Sequence, residues 1–304
     1  MSKVDKMDDK ATVLIVDDST ADVQEIASIL KDDYHIRLAK DGARALELLK
    51  GELKPDLVLL DVHMPIMSGY EVLQDLDSCD TCEVSPIILV TGSYSVEDEE
   101  RGFLLGAADF ITKPVRASIL KARVKTQITL KKQRDKLIYN ASHDQLTGLY
   151  NYNHLLEEGE RKFSRATRQN DKLSLVMIDV DNFKLINEQH GYSVGDKVIK
   201  ELAVLISSYD KRNEDLSARL LGEEFVIIFE GCSGSDAKIK AEILRKKIEE
   251  LNPSDIKITA SLGVCEMDKA YKTFDALLKD ADEALYVAKS LGRNRVVLFT
   301  DEEL

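Results

Sequence analysis

Short runs of consecutive apolar residues recur through the first third of the chain, at 12–16, 57–60, 87–90 and 110–111, with a weaker alternation at 36–39. Between them, at about 21–30, 42–49 and 70–76, apolar residues fall at helical spacing. Continuous apolar strands divided by amphipathic helices predict a parallel sheet covered on both faces, the doubly wound α/β class. In such a sheet the chemistry sits at the carboxyl ends of the strands. From Arg116 to about Ala141 there is neither Gly nor Pro and the composition is rich in Lys, Arg, Gln and Leu, which predicts one long helix. Its heptad positions Leu120, Val124, Gln127, Lys131, Arg134, Ile138 and Ala141 are apolar at the ends and polar in the middle, consistent with a coiled coil or with a solvated connector.

The remainder has a different rhythm. Strands are predicted at 173–178, 218–220, 224–229 and 258–264, and helices at about 152–169, 194–209, 235–251 and 274–290. Two of the strands flank Leu221-Gly222, the spacing of a tight hairpin, so this half is expected to be α+β, with helices on an antiparallel sheet. The chain of 304 residues therefore divides into residues 11–125, a helical linker at 116–141, and residues 142–300.

Composition narrows the function. The chain has 42 Lys+Arg against 55 Asp+Glu, and the acidic excess is shared by both halves, so neither resembles a phosphate-neutralising nucleic-acid module. No apolar run approaches the roughly 20 residues of a membrane span, and the charged first ten residues lack the apolar run of a signal peptide, so a cytoplasmic location is expected. Of the four cysteines, only Cys79 and Cys82 have C-x-x-C spacing, and they fall between a helix and a strand, where a loop is expected rather than a redox pair.

Two constellations carry chemistry. Asp17 and Asp18 end the first strand, Asp61 the third and Thr91 the fourth, and Lys113 follows the fifth, so all lie on one rim of the parallel sheet. Three clustered carboxylates imply a hard divalent cation such as Mg²⁺. A carboxylate beside it can attack a phosphoryl group while metal and ammonium neutralise the equatorial oxygens. In order and spacing, Val16-Asp17-Asp18-Ser19, Leu60-Asp61-Val62-His63-Met64-Pro65 through Gly69, Val90-Thr91-Gly92 and Gly106 through Pro114 resemble the receiver domain of two-component response regulators. The resemblance implies phosphorylation of Asp61 by a histidine kinase or small phosphodonor, with Mg²⁺ held by Asp17, Asp18 and Asp61. It further implies a switch pair, Thr91 and Phe110, and Lys113 as ion-pair partner. His63 either tunes the phosphoryl lifetime or is an exposed loop histidine.

The second constellation begins where Asp179 follows a buried strand. Asp179 and the hairpin acids Glu223 and Glu224 could converge on one or two metal ions of the kind that activate a 3′-hydroxyl and stabilise departing pyrophosphate. The run Asp179-Val-Asp-Asn-Phe-Lys-Leu-Ile-Asn-Glu-Gln-His-Gly-Tyr-Ser-Val-Gly-Asp196, followed by Arg219-Leu-Leu-Gly-Glu-Glu-Phe225, resembles the GGDEF domain of diguanylate cyclases. Further matches are Asp144 through Asn151, Ala260-Ser-Leu-Gly-Val264, and Ala281-Asp282 through Asn294. The fold implied is nucleotide-cyclase-like. By that resemblance Asp179, Glu223 and Glu224 meet Mg²⁺, Glu223 or Glu224 helps deprotonate the 3′-hydroxyl, and Lys184, Lys289 and Arg293 meet the triphosphate. Asn187 and Asp196 match a guanine-reading pair; a carboxylate can accept from guanine N1–H and N2–H₂, donors that adenine does not present together. Arg212 and Asp215 match a product-inhibition site for cyclic di-GMP.

Two positions depart from the pattern: Leu221 stands where the signature has its first Gly, and Tyr152 where it has Arg. A branched residue forced to positive φ in a tight turn costs about 1–2 kcal/mol, so Leu221 sets two readings against each other. One is a phosphorylation-regulated homodimeric diguanylate cyclase condensing two GTP into cyclic di-GMP and two pyrophosphates. The other is an inactive, cyclic di-GMP-binding sensor.

Overall fold

The computed structural model describes residues 10–51, 54–78, 85–92, 96–208 and 215–300. These form two compact units that divide between Lys136 and Leu137.

In the first unit five parallel strands, β1 (Thr12–Val16), β2 (His35–Ala39), β3 (Leu57–Asp61), β4 (Ile87–Thr91) and β5 (Asp109–Thr112), lie in the order β2-β1-β3-β4-β5. The helices α1 (Thr20–Leu30), α2 (Gly42–Lys50), α3 (Gly69–Asp77), α4 (Val96–Leu104) and α5 (Ala117–Ser142) connect or follow them. β3 and β4 are buried at every residue, as expected of strands covered on both faces. Strand alternation sends Leu14, Val16, Leu60 and Leu89 to one core with Val72 and Leu73 of α3. It sends Val13, Ile15, Leu59 and Ile88 to another with Ile26 and Leu30 of α1.

Three residues of α5 at successive helical turns, Leu120, Val124 and Ile128, complete that second core. Burying such side chains stabilises the unit by about 1.5–3 kcal/mol each. The first two heptad positions are thus committed to the unit's own core and do not form a seam for a second helix. Farther along, Leu130, Leu137 and Ile138 are exposed.

The second unit has strands β6 (Leu173–Val180), β7 (Leu216–Arg219), β8 (Glu224–Glu230), β9 (Ala260–Glu266) and β10 (Val296–Leu298), ordered β10-β9-β6-β8-β7. All pairings are antiparallel except β10 with β9. Helices α6 (Tyr152–Gln169) and α10 (Phe274–Ser290) cover one face; α8 (Tyr192–Ser207) and α9 (Gly234–Glu250) cover the other, with α7 (Phe183–His190) leading into α8. The central strand β6 is buried throughout, and both its ends open toward loops. α4, α7 and β10 are additions to the expected elements: α4 is strongly charged, and α7 and β10 are too short for periodicity to signal. Among the described residues no helix is long and apolar enough to cross a membrane.

Candidate functional site

The register of the first sheet brings the expected acids together. Asp17 follows β1, Asp61 ends β3 opposite Val90, and Thr91 ends β4 opposite Thr112. Carboxylate oxygens of Asp17, Asp18 and Asp61 lie within 4.8 Å of one another. Asp17 and Asp61 are buried and Asp18 is exposed, so the cluster opens to solvent on one side, and its hard-oxygen donors suit a divalent cation. The Lys113 ammonium reaches Asp17 Oδ2 at 2.8 Å, Asp61 Oδ1 at 3.3 Å and Asp22 Oδ2 at 2.7 Å.

Burial pushes the Asp61 carboxyl above its ordinary pKa; Lys113 opposes the shift and Asp17 adds to it. Burial also works against the Lys113 charge. The hydrogen bonds to Asp17 and Asp22 and the attraction of Asp61 outweigh it, holding the ammonium well above the usual lysine value. Asp22 was not anticipated; its signal was its place in the first turn of α1, just past the acidic pair. Thr91 and Phe110 are buried beside this rim, and His63 is exposed, with its backbone N–H directed to the Asp61 carboxylate.

In the second unit the strand end and the hairpin meet. Asp179 pairs in register with Glu224 across β6 and β8, and Lys289 Nζ of α10 lies 2.7 Å from Asp179 Oδ2. Burial raises the Asp179 pKa against the pull of Lys289, with Glu223 and Asp181 adding to the rise. Burial raises Glu224 too, reinforced by Asp179. The companion Asp181 is used differently: its carboxylate accepts from Thr259 Oγ1 and Ser261 Oγ, both at 2.7 Å, and from Asn294 N–H at 3.0 Å. The Asp-x-Asp pair thus divides into one acid that meets Lys289 and one fully engaged in hydrogen bonds.

Beside the hairpin lies a cavity of about 360 Å³ lined by Lys184, Asn187, Tyr192, Asp196, Arg219 and Glu223, among others. Its size is in the range of small-molecule sites. Asn187 Oδ1 is buried there without a hydrogen-bond partner, a deficit of about 1–3 kcal/mol unless something donates to it. Gly195 makes room for that amide, since a Cβ at 195 would stand 1.9 Å from Asn187 Oδ1. Lys184 is solvent-exposed, 3.9 Å from Glu188. Arg293 is exposed just past α10, outside the cavity lining.

The hairpin turn differs from the spacing-based expectation. Glu224 N–H donates to Leu221 C=O at 2.9 Å, so Gly222 and Glu223 are the central residues, and Gly222 carries the positive φ of +57°. Leu221 stays at negative φ and is 78% exposed. Arg219, quoted in the motif without a role, clamps this turn. Its Nε and Nη2 donate to Gly222 C=O at 3.0 and 2.6 Å, and its Nη1 to Asp144 Oδ1 at 2.9 Å. Burial pushes the Asp144 carboxyl up, but hydrogen bonds from Thr147 and Arg219 outweigh it and hold it below its usual value.

Of the expected product-inhibition pair, Asp215 is buried and accepts from Glu230 N–H at 3.2 Å, and Arg212 lies outside the described residues. Cys79 and Cys82 also lie outside them. Tyr152 is the half-exposed first residue of α6, and nothing in its surroundings explains the departure from Arg.

With this geometry in place, comparison with known proteins is decisive about family. Residues 141–295 match the family described as diguanylate cyclase, GGDEF domain, and residues 13–125 match the response regulator receiver domain. The chain belongs to the GGDEF family. It is a response regulator joining a receiver domain to a GGDEF domain.

This GGDEF response regulator is 33% identical over 308 residues to response regulator PleD of Caulobacter vibrioides, covering 94% of the chain and 65% of PleD. Diguanylate cyclase A of Treponema denticola is 38% identical over 148 residues, covering 47% of the chain and 40% of that cyclase. The chain therefore spans less than two thirds of the length of these curated relatives. Among solved structures, the coiled coil and GGDEF domain of DgcB from Caulobacter crescentus, in complex with c-di-GMP, superposes with a TM-score of 0.54. That match has 26% identity and covers 60% of this chain and 97% of that one. The DgcB GGDEF domain alone, also with c-di-GMP, gives a TM-score of 0.50 at 30% identity, covering 53% and 94%.

Proposed function

We propose that this response regulator is a phosphorylation-regulated diguanylate cyclase, condensing two GTP into cyclic di-GMP and two pyrophosphates as a cytoplasmic homodimer. Residues 11–125 serve as receiver, 116–141 as linker and 142–300 as cyclase. The observation that carries the reading is the cavity in which Asn187 Oδ1 is buried and unpaired beside Asp196, at the foot of the hairpin that bears Glu223. Guanine presents N1–H and N2–H₂ on one edge, and two acceptors set side by side answer that pattern. The ribose and phosphates extend toward Glu223 on the cavity wall and toward Asp179 and Glu224 on the adjoining strands, with Lys184, Lys289 and Arg293 as their cations.

The all-oxygen donor sets at Asp179, Glu223 and Glu224, and at Asp17, Asp18 and Asp61, suit Mg²⁺, which when bound offsets negative charge on phosphate oxygens. Glu224 is the candidate base for the 3′-hydroxyl, because burial and Asp179 raise its proton affinity above the ordinary carboxylate. Lys289 holds Asp179 in place until substrate arrives. One cavity holds one GTP, so condensation needs two such domains face to face, and dimerisation becomes part of the mechanism.

In the receiver, Asp61 is the nucleophile toward phosphohistidine or a small phosphodonor, and Lys113 neutralises the transferred group. Thr91 and Phe110 repack in response, biasing how two chains pair through the linker. Product binding at Arg212 and Asp215 then limits output.

The sensor reading takes Leu221 to disable catalysis and Arg212 and Asp215 to bind cyclic di-GMP; the negative φ of Leu221 supports the cyclase reading over it. Purified protein incubated with GTP and Mg²⁺, with and without beryllofluoride, tests the proposal. Cyclic di-GMP should form, and faster with beryllofluoride. GTP binding without product under either condition would overturn the cyclase assignment in favour of the sensor.

A further inference from the structure

The segment between α10 and β10 has a backbone that needs explaining. Arg293 and Asn294 are consecutive non-glycine residues in the left-handed region, at φ +63° and +45°, directly after Gly292 at +111°. Residues held there are strained and persist where their surroundings over-determine them. Here the surroundings do. Arg293 N–H donates to Ala288 C=O at 3.1 Å, closing the end of α10, and Asn294 N–H donates to Asp181 Oδ2 at 3.0 Å. Asp181 is buried and anchored by the Thr259 and Ser261 hydroxyls at the start of β9. The Asn294 amide is engaged at both ends: Arg245 Nη1 donates to its Oδ1 at 2.7 Å, and its Nδ2 donates to Glu249 Oε1 at 3.1 Å. Arg245 is itself held by Glu242 at 2.9 Å and Glu249 at 3.0 Å, with its side chain 12% exposed.

The residue placed by all this bonding is Arg293, whose side chain is exposed and makes no ion pair among the described residues. It adjoins the Asn294 amide that bonds Asp181, and Asp181 stands two residues beyond Asp179. We infer that Asp181, Asn294 and Arg245 form a latch that presents Arg293 to the triphosphate of bound GTP. They are positioning residues: Asp181 and Asn294 fix the backbone, and Arg245 fixes Asn294 from α9. The inference rests on the reading of this site as a GTP site.

Binding of two probes tests it: 3′-deoxy-GTP, which lacks the attacking hydroxyl, and guanosine, which lacks phosphate. Arg293→Ala should weaken 3′-deoxy-GTP about tenfold and guanosine by less than about twofold. Arg245→Ala should reproduce at least about threefold of that loss, again for the triphosphate alone, and Arg245→Lys, which can still donate to Asn294, should stay within about twofold of wild type. The double variant should bind no more weakly than Arg293→Ala, because the latch acts only through that side chain. Asn294→Gly, which tolerates the backbone and removes both amide bonds, should show the same selective loss and replaces Arg245→Ala if that variant fails to melt cooperatively. Additive losses, equal losses for both probes, or no loss in the latch variants would overturn the latch. Wild-type protein that binds neither probe would instead overturn the GTP reading beneath it.

Discussion

The receiver rim and the strand end of the GGDEF domain use the same parts differently. Each sets a buried aspartate at the end of a strand and meets it with a lysine from later in the chain, Lys113 at Asp17 and Asp61, Lys289 at Asp179. In the receiver three carboxylates crowd within 4.8 Å of one another and one ammonium meets two of them, so the group proposed to react is already assembled. In the GGDEF domain Asp179 and Glu224 pair across two antiparallel strands, and Glu223 in the turn between β7 and β8 lines a cavity with an unpaired Asn187 oxygen. The receiver acids already meet a cation, whereas the buried Asn187 oxygen has no donor, so the second site is the one left to be completed by a ligand.

Breaking the cyclase chemistry should have the largest effect. Glu223→Gln is expected to lower turnover by at least about a thousandfold, roughly 4 kcal/mol in the barrier, with GTP binding retained. Product formation and GTP affinity measured on the same preparation check this.

The receiver counterpart, Asp61→Asn, should reduce the stimulation by acetyl phosphate or beryllofluoride to a ratio of about one with basal turnover kept, since the amide cannot attack phosphorus. It should also raise the melting temperature at neutral pH. An acid whose folded-state pKa lies above its unfolded value binds its proton more tightly when folded, so ionised Asp61 costs stability, and that cost disappears as the pH falls through the folded-state value. The advantage of the variant in thermal melts should accordingly shrink toward acid pH; an advantage independent of pH would contradict the burial argument.

Gly195→Ala sharpens the contrast, because its Cβ would displace Asn187 within the GGDEF domain. GTP affinity should fall about tenfold, equivalent to about 1.4 kcal/mol, while the fold-stimulation by phosphodonor stays unchanged. The smallest effect is expected at the hairpin. Leu221→Gly should alter turnover by less than about tenfold, since Gly222 already supplies the positive φ. A wild type that is inert and is revived by this substitution alone would show that the exposed leucine blocks the site.

Much of the fold was legible because buried strands and long amphipathic helices have strong periodic signals. α6 and α10 occupy the expected residues 152–169 and 274–290. The receiver acids could be placed on one rim because a parallel sheet aligns all its strand ends. Elements decided by contacts made far along the chain were not legible. β10 has three residues and exists because β9 offers it an edge, and α4 carries too much charge for its apolar face to stand out. In the site, Asp22 and Arg219 are ordinary charged residues in sequence and gain their roles by reaching Lys113 and Gly222 through space.

The sequence by itself determined the two α/β layouts, the order of acids and cations along the chain, and the set of groups available for phosphate chemistry, since these follow from local periodicity and residue type. Tertiary structure alone decided which acid of Asp179 and Asp181 meets Lys289 and which is spent on hydrogen bonds from Thr259, Ser261 and Asn294. It also decided that α5 gives Leu120 and Val124 to the receiver core, and that Gly222 rather than Leu221 bears the left-handed turn. Each of these depends on which partner arrives from a distant strand or helix to satisfy a buried polar group or fill an apolar gap, and nearest-neighbour residue types do not encode that choice.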